Sequence, residues 1–285
     1  MYRLNSYISS VVIAESLGLI HIGDAIQVAG VSALNQIVEG SLSFCNKVHS
    51  TDNTALVIGP VVSGFGDVTR IEALNPRLEF IRAINFLEER IGFINDKIFS
   101  IHPSAKIHPL AVIEERVSID EGTVVGPFTR ISSGTEIGKY CDIRAGAKIG
   151  HSGFGLEFDE YDTPIEFPHL GSVCLGNNVR IGCNSTIAKG VLGDTVIKDH
   201  VKIDDQVYIA HNCTISENTL IVSGSTICGS VQIGRNVFVG ASANIKQHCK
   251  IGNFVTLGMG SNVISDVAEG TTLVGNPARA VGTTK

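Results

Sequence analysis

The chain has 285 residues, a formal net charge of −6, 31 glycines, no tryptophan and 18% charged residues. That length supplies a core for one large domain or two smaller ones, and the glycine-rich, charge-poor balance suits an all-β or repeat protein better than a helical bundle. There is no lysine–arginine run and no stretch near the ~18 apolar residues of a membrane span, so nucleic-acid binding and a membrane span are set aside.

The opening "MYRLNSYISSVVIAESLGL" reads as an amphipathic helix rather than a signal peptide, because Glu15 interrupts its apolar patch and no clean small-residue cleavage site follows. Within it "SSVVIAESLGL" is helical in pattern. The segments "AIQVAGVSAL", "GSLSFCN" and "TALVIGP" read as strands between polar turns. A second helix is expected in "NPRLEFIRAINFLEERIGF", with Asn75 as its cap and Pro76 in its first turn. Residues 1–97 are thus expected to form a small α/β domain that ends near "DKIFSIHPSA".

A different pattern then takes over. Every sixth residue from Ile101 to Ile149 is a β-branched aliphatic, and the same step recurs over Leu175, Ile181 and Ile187 and from Ile197 to Val263. A second column, four residues later, holds small residues such as Ala105, Thr123, Thr129, Cys141, Cys213 and Ser225. Neither a helical nor a simple strand period explains this. The reading is short strands separated by corners, three hexapeptides to a triangular coil of 18 residues, the large side chain filling the centre and the small one fitting beside it. About eight coils are expected over residues 98–285, a prism of roughly 38 Å at the ~4.8 Å spacing of paired strands.

Two breaks interrupt the register. One, at 151–174, carries Phe154, Phe158, Tyr161 and Phe167 and reads as an ejected loop serving as a substrate flap. The other is a four-residue slip around "GVLG", 190–193. The seven cysteines show no zinc-ligand spacing and read as free thiols in a reducing, cytoplasmic compartment. Those in the small inward column are core residues.

The hexads resemble those of the hexapeptide acyltransferases, which implies a left-handed parallel β-helix working as a homotrimer. "IAESLG", "GVSALNQIVEGSLSF", "GFG", "DTVIKDHVKIDDQVYIAHN" and "GASANIKQHCKIG" follow one another in an order similar to that of the UDP-3-O-acylglucosamine N-acyltransferases of lipid A assembly. That resemblance covers roughly residues 10–265. It implies N-acylation of a nucleotide-linked amino sugar in lipid A or surface-polysaccharide synthesis, with acyl-CoA or acyl carrier protein as donor and no permanently bound cofactor or metal.

The resemblance also implies residue roles. His211 would be the general base that takes a proton from the attacking amine, a task an imidazole can perform near neutral pH. Asp204 would orient it, and the Gly229 N–H, one coil on, would face the thioester oxygen. His248 would hold donor or phosphate about 10 Å along the same edge. Phe44, Asn46 and His49 would lie at the base-binding segment, with Phe154 and Gly155 of "GFG" against substrate. The sequence departs from the family pattern at "SFCNKVHS", which is a residue shorter and offers His49 where the family has an aromatic. No C-terminal helical extension is expected after the repeats, and the tail "LVGNPARAVG" resembles that of acetyl-CoA-dependent enzymes, which implies that Gly275, Asn276, Pro277 and Ala278 lie near coenzyme A. The alternatives are O-acylation on the same scaffold, or a non-catalytic or zinc-dependent β-helix, the last needing three converging histidines. His102, His108, His200 and most other histidines read as structural or solvated.

Overall fold

The computed structural model describes residues 1–47, 54–61, 69–94 and 99–283. The chain divides into two compact units, Met1–Asp96 with Phe154–Pro168, and Lys97–Gly153 with His169–Lys285.

The first unit is built on a six-stranded sheet of β1 (Tyr2–Ser9), β2 (Ile20–Ile22), β3 (Gln27–Val31), β4 (Ser41–Phe44), β5 (Leu56–Pro60) and β6 (Arg70–Ala73), in the order β1-β3-β4-β5-β6-β2. Strands β3 to β6 are mutually parallel; β1 and β2 run antiparallel at the edges. The expected N-terminal helix is only half right. Tyr2–Ser9 is strand, because its backbone pairs with β3, and helix α1 occupies Ser10–Leu17 alone. Ser9 caps α1 and left-handed Gly18 ends it. Helix α2 (Pro76–Arg90) starts where its cap predicts, with Asn75 Oδ1 accepting from the Leu78 N–H at 3.2 Å. Its apolar stripe, Leu78, Phe80, Ile81, Ile84 and Leu87, is buried, each such side chain contributing about 1.5–3 kcal/mol relative to exposure.

The ejected loop expected at 151–174 is narrower than that and is not an extension of the solenoid. Residues 154–168 form a hairpin, strands Leu156–Phe158 and Pro164–Glu166, that belongs to the first unit. Phe167 is buried, its ring 6.1 Å from that of Phe80 and 6.5 Å from that of Phe44. Arg82 of α2 grips Glu160 through Nη1 at 2.8 Å and Nη2 at 2.6 Å, and Arg77 reaches Glu157 at 3.4 Å. Aromatic burial and this ion pairing hold the segment on α2, a partnership between residues some 80 apart that no local pattern reveals.

The second unit is the parallel β-helix. Two-residue strands stack in register one coil apart, as where Val124–Val125 pairs with Lys106–Ile107 on one side and Asp142–Ile143 on the other. Three sheets of ten, eight and seven strands make the three faces, and the strands Thr271–Val274 and Arg279–Thr283 end the largest as a hairpin. The aliphatic column points inward and is almost wholly buried from Ile119 to Val263. Ile101, at the open end of the stack, is 48% exposed because no coil covers it.

Corners set the six-residue beat. From Gln206 to Gly260 every sixth residue is left-handed: Gln206, Asn212, Asn218, Gly224, Ser230, Asn236, Ser242, His248, Phe254 and Gly260. Asn and Gly tolerate that conformation, which is why they recur there. Side chains also staple one coil to the next. The corner N–H groups of Lys139, Asn177, Cys183 and Arg235 donate to Asn177, Asp199, Asp205 and Asn253 respectively.

Candidate active site

His211 occupies the corner that follows the strand Tyr208–Ile209. Ile209 points into the core and His211 turns outward, half-buried. Directly below it the chain carries Cys228-Gly229-Ser230, tied to it by the Ser230 N–H donating to the His211 carbonyl at 2.9 Å. The imidazole lies against Gly229. A Cβ added there would sit 2.6 Å from Cε1 and 2.8 Å from Nε2, so no side chain fits under the ring. Gly229 is buried, and its N–H has no acceptor among the described residues. At the stapled corners the equivalent N–H is taken by an Asp or Asn side chain. Among the described residues the equivalent N–H is also without an acceptor at Ala145, Asp205, Glu217, Ser223, Ala241 and Gln247; what sets Gly229 apart is that its open N–H lies beside an imidazole, where it can receive an oxygen carrying developing negative charge.

The rest of the His211 surroundings are as restrictive. Nδ1 lies 3.2 Å from Oδ1 of Asn212. The ring of His169, itself buried, meets it edge-on with centroids 5.6 Å apart. Gly153 packs on both: a Cβ there would lie 2.9 Å from His169 Nε2 and 3.2 Å from His211 Cδ2. Gly153 and His169 are the residues at which the chain leaves and rejoins the solenoid unit. Neither they nor Asn212 stood out in the sequence as site residues; the two register breaks are visible there as faults, but not the contacts that Gly153, His169 and the 190–193 slip make at the His211 corner.

The other expected site residues are placed as follows. Asp204 is exposed, one corner earlier along the coil, and within one chain it makes no hydrogen bond with His211; its carbonyl accepts from Ser185 Oγ at 2.6 Å. His248 is exposed at the same corner two coils beyond His211, its N–H donating to the Gly229 carbonyl at 3.0 Å. It continues the left-handed column of Asn212 and Ser230 rather than that of His211. In the first unit Phe44 is half-buried at the end of β4, with its ring 4.9 Å from that of Phe80, and Asn46 is exposed just beyond. His49 lies outside the described residues. Phe154 is exposed, and Gly155 accepts from the Phe167 N–H at the base of the hairpin. Gly275, Asn276, Pro277 and Ala278 form the turn joining the last two strands, held by Ala278 N–H to the Asn262 carbonyl and Asn262 N–H to the Gly275 carbonyl.

None of the seven cysteines is in a disulfide. Burial pushes the Cys213 thiol up to about 12, and raises the Cys228 thiol and the Tyr208 phenol beside this corner. These groups therefore stay protonated at neutral pH and add no charge beside the corner. Among the described residues no three His, Cys, Asp or Glu side chains converge as a metal site, and no helix is long and apolar enough to cross a membrane.

The family pattern described as "Bacterial transferase hexapeptide (six repeats)" matches residues 116–151 and 194–229, the second stretch spanning His211 and Gly229. A UDP-3-O-acylglucosamine N-acyltransferase of Campylobacter lari is 34% identical over 271 residues, 86% of this chain and 85% of the relative. One of Coxiella burnetii is 32% identical over 286 residues, 87% and 82% of the two chains. Among solved structures, a UDP-N-acetylglucosamine acyltransferase from Campylobacter jejuni superposes with a TM-score of 0.53 at 25% identity, over 65% of this chain and 75% of that one. Its Arabidopsis counterpart superposes with a TM-score of 0.50 at 25% identity, over 65% and 74%.

Proposed function

The chain belongs to the family of UDP-3-O-acylglucosamine N-acyltransferases, hexapeptide-repeat acyltransferases of lipid A synthesis with a left-handed β-helix, and from that premise we propose how its residues move an acyl group from a thioester to the amine of a nucleotide-linked amino sugar. The observation that carries the reading is the pairing of the His211 imidazole with the open, buried Gly229 N–H.

The amine nitrogen attacks the thioester carbonyl carbon, and a C–N bond forms. His211 takes the proton that the nitrogen must lose. The carbonyl oxygen becomes an oxyanion and accepts a hydrogen bond from the Gly229 N–H, which costs no reorganisation because nothing else uses it. Collapse breaks the C–S bond, the imidazolium returns its proton to the departing sulfur, and amide and free thiol leave. No covalent enzyme intermediate is needed. The nearest thiols, Cys213 and Cys228, are held protonated and are poor nucleophiles.

The donor is acyl carrier protein or acyl-CoA, with His248 and the Gly275–Ala278 turn on its path. Residues 1–97 hold the nucleotide, Phe44 offering its ring to the base and Asn46 and His49 its polar edge. Phe154 and Gly155 meet the sugar side. The working form is a cytoplasmic homotrimer, in which Asp204 reaches His211 from a second copy. The test is a donor–acceptor matrix: acetyl-CoA, 3-hydroxybutyryl-CoA and a long-chain acyl carrier protein against UDP- and dTDP-amino sugars, following released thiol. His211→Ala should lower turnover about 10²- to 10⁴-fold; near-normal turnover in that variant refutes the assignment.

A further inference from the structure

The four-residue slip at 190–193 interrupts an otherwise regular solenoid, and its contacts converge on one side chain. Asn212 Oδ1 accepts from the Val191 N–H at 3.0 Å, and Asn212 Nδ2 donates to the Gly193 carbonyl at 3.2 Å. The Asn212 N–H is in turn held by Thr195 Oγ1 at 2.9 Å. The amide therefore cannot be turned over. Flipped, it would set its NH2 against the Val191 N–H and its oxygen against the Gly193 carbonyl, donor on donor and acceptor on acceptor. The slip is also built without side chains where the amide lies. A Cβ on Gly190 would run into the Gly193 carbonyl and lie 3.0 Å from Asn212 Nδ2, and Gly193 takes a positive φ of 152° in which only glycine is at ease.

With its oxygen fixed toward His211, Asn212 presents only an acceptor to Nδ1, at 3.2 Å. A neutral imidazole carries one N–H, and the hydrogen bond made by one ring nitrogen decides the state of the other. We propose that Asn212, oriented by the 190–193 slip, is a positioning residue that commits neutral His211 to the Nδ1–H tautomer, leaving the lone pair on Nε2, beside Gly229. The slip is then a device for setting a proton rather than a tolerated insertion. This inference rests on the reading of His211 as the base, because only a base needs its lone pair on a stated nitrogen.

The experiment reads the tautomer directly and needs no turnover. Full-length protein labelled with 15N-histidine is observed by NMR at pH 8.5, with His211→Gln assigning the resonance. The wild type should show His211 with Nδ1 protonated and Nε2 bare. Asn212→Ala should lose that preference and shift the ring toward Nε2–H. Asn212→Asp, which keeps acceptor oxygens for both the Val191 and His211 N–H groups, should retain it even though its contact with Gly193 is broken. Alongside, Asn212→Ala should lower kcat roughly 10²-fold with KM little changed, as loss of a correctly set base does. An Nε2–H tautomer in the wild type, or an unchanged tautomer in Asn212→Ala, overturns the proposal. A correct tautomer together with full activity in His211→Ala would leave Asn212's role intact and remove His211 as the base, so the two failures are distinguishable.

Discussion

The His211 imidazole fills the space a side chain at position 229 would need, its Cε1 only 2.6 Å from where the Gly229 Cβ would be. A single methyl group at 229 must therefore push the ring away. Gly229→Ala should fold, because the backbone there is not left-handed, yet lose roughly 10²-fold in turnover, the scale of a misplacement near 1 Å. Thermal melting beside steady-state kinetics separates the two effects; unimpaired turnover would show that the ring position is not critical.

Asp204 and His211 stand on successive corners and make no hydrogen bond to each other within one chain. If they act together across copies, co-expressing His211→Ala chains with Asp204→Ala chains should restore a fraction of the activity that each homogeneous variant lacks. Purified mixed assemblies, separated by two affinity tags, give the measurement. An absence of recovery at equal expression would count against a shared site.

Phe167 closes the aromatic group of the first unit with Phe44 and Phe80. Phe167→Ala should destabilise by about 3–5 kcal/mol, the range for a truncated buried phenylalanine. The 154–168 hairpin should then be cut by protease under conditions where the wild type resists. Activity of any surviving protein should show a raised KM for the nucleotide sugar, through the disturbed Phe44.

The same hairpin carries a pH dependence. The bidentate hydrogen bond from Arg82 holds the Glu160 carboxyl down at about 2, against an ordinary 4.5. A carboxylate with a depressed pKa contributes stability that is complete above its unfolded value and is lost as pH falls through the folded one. Docking should thus loosen between about pH 4.5 and pH 2. Glu79, beside the same guanidinium, runs the other way: burial raises its pKa, so protonation relieves a charge held out of water. Glu160→Gln should remove the acid-side loosening of the hairpin, read as proteolysis against pH, while leaving the contribution of Glu79.

Cys213, fully buried with its thiol pushed up to about 12, should resist alkylation in the native protein. Cys174 and Cys183 are only half-buried and should label first. Mass spectrometry of peptides after brief treatment distinguishes them. Early labelling of Cys213 would mean that the coil opens locally.

The solenoid was legible because its period is covalent in origin: each inward aliphatic from Ile119 to Val263 announces itself by spacing alone, and nearly all are buried. His211 and Gly229 were legible through a family likeness, and their stacking follows from the coil length. Strand β1 was not, since "YRLNSYIS" owes its form to pairing with β3 rather than to its own residues. The packing of the hairpin was hidden for a similar reason: Phe167 finds Phe80, and Glu160 finds Arg82, across 87 and 78 residues of chain. The slip at 190–193 was visible as a fault in the beat, but not what it holds, because hydrogen bonds to Asn212 leave no periodic trace.

The first unit is discontinuous, its last piece supplied only after Gly153. On the ribosome, synthesis must run through the first coils before Phe167 exists to cover Phe44 and Phe80. Residues 1–96 therefore emerge as an unfinished body whose aromatic face waits for a segment translated later. A fragment ending near residue 100 should be aggregation-prone, whereas one extended past residue 168 should not. The order in which this chain is made is thus written into its topology: the sheet begins first, the coils start second, and the hairpin completes what began first.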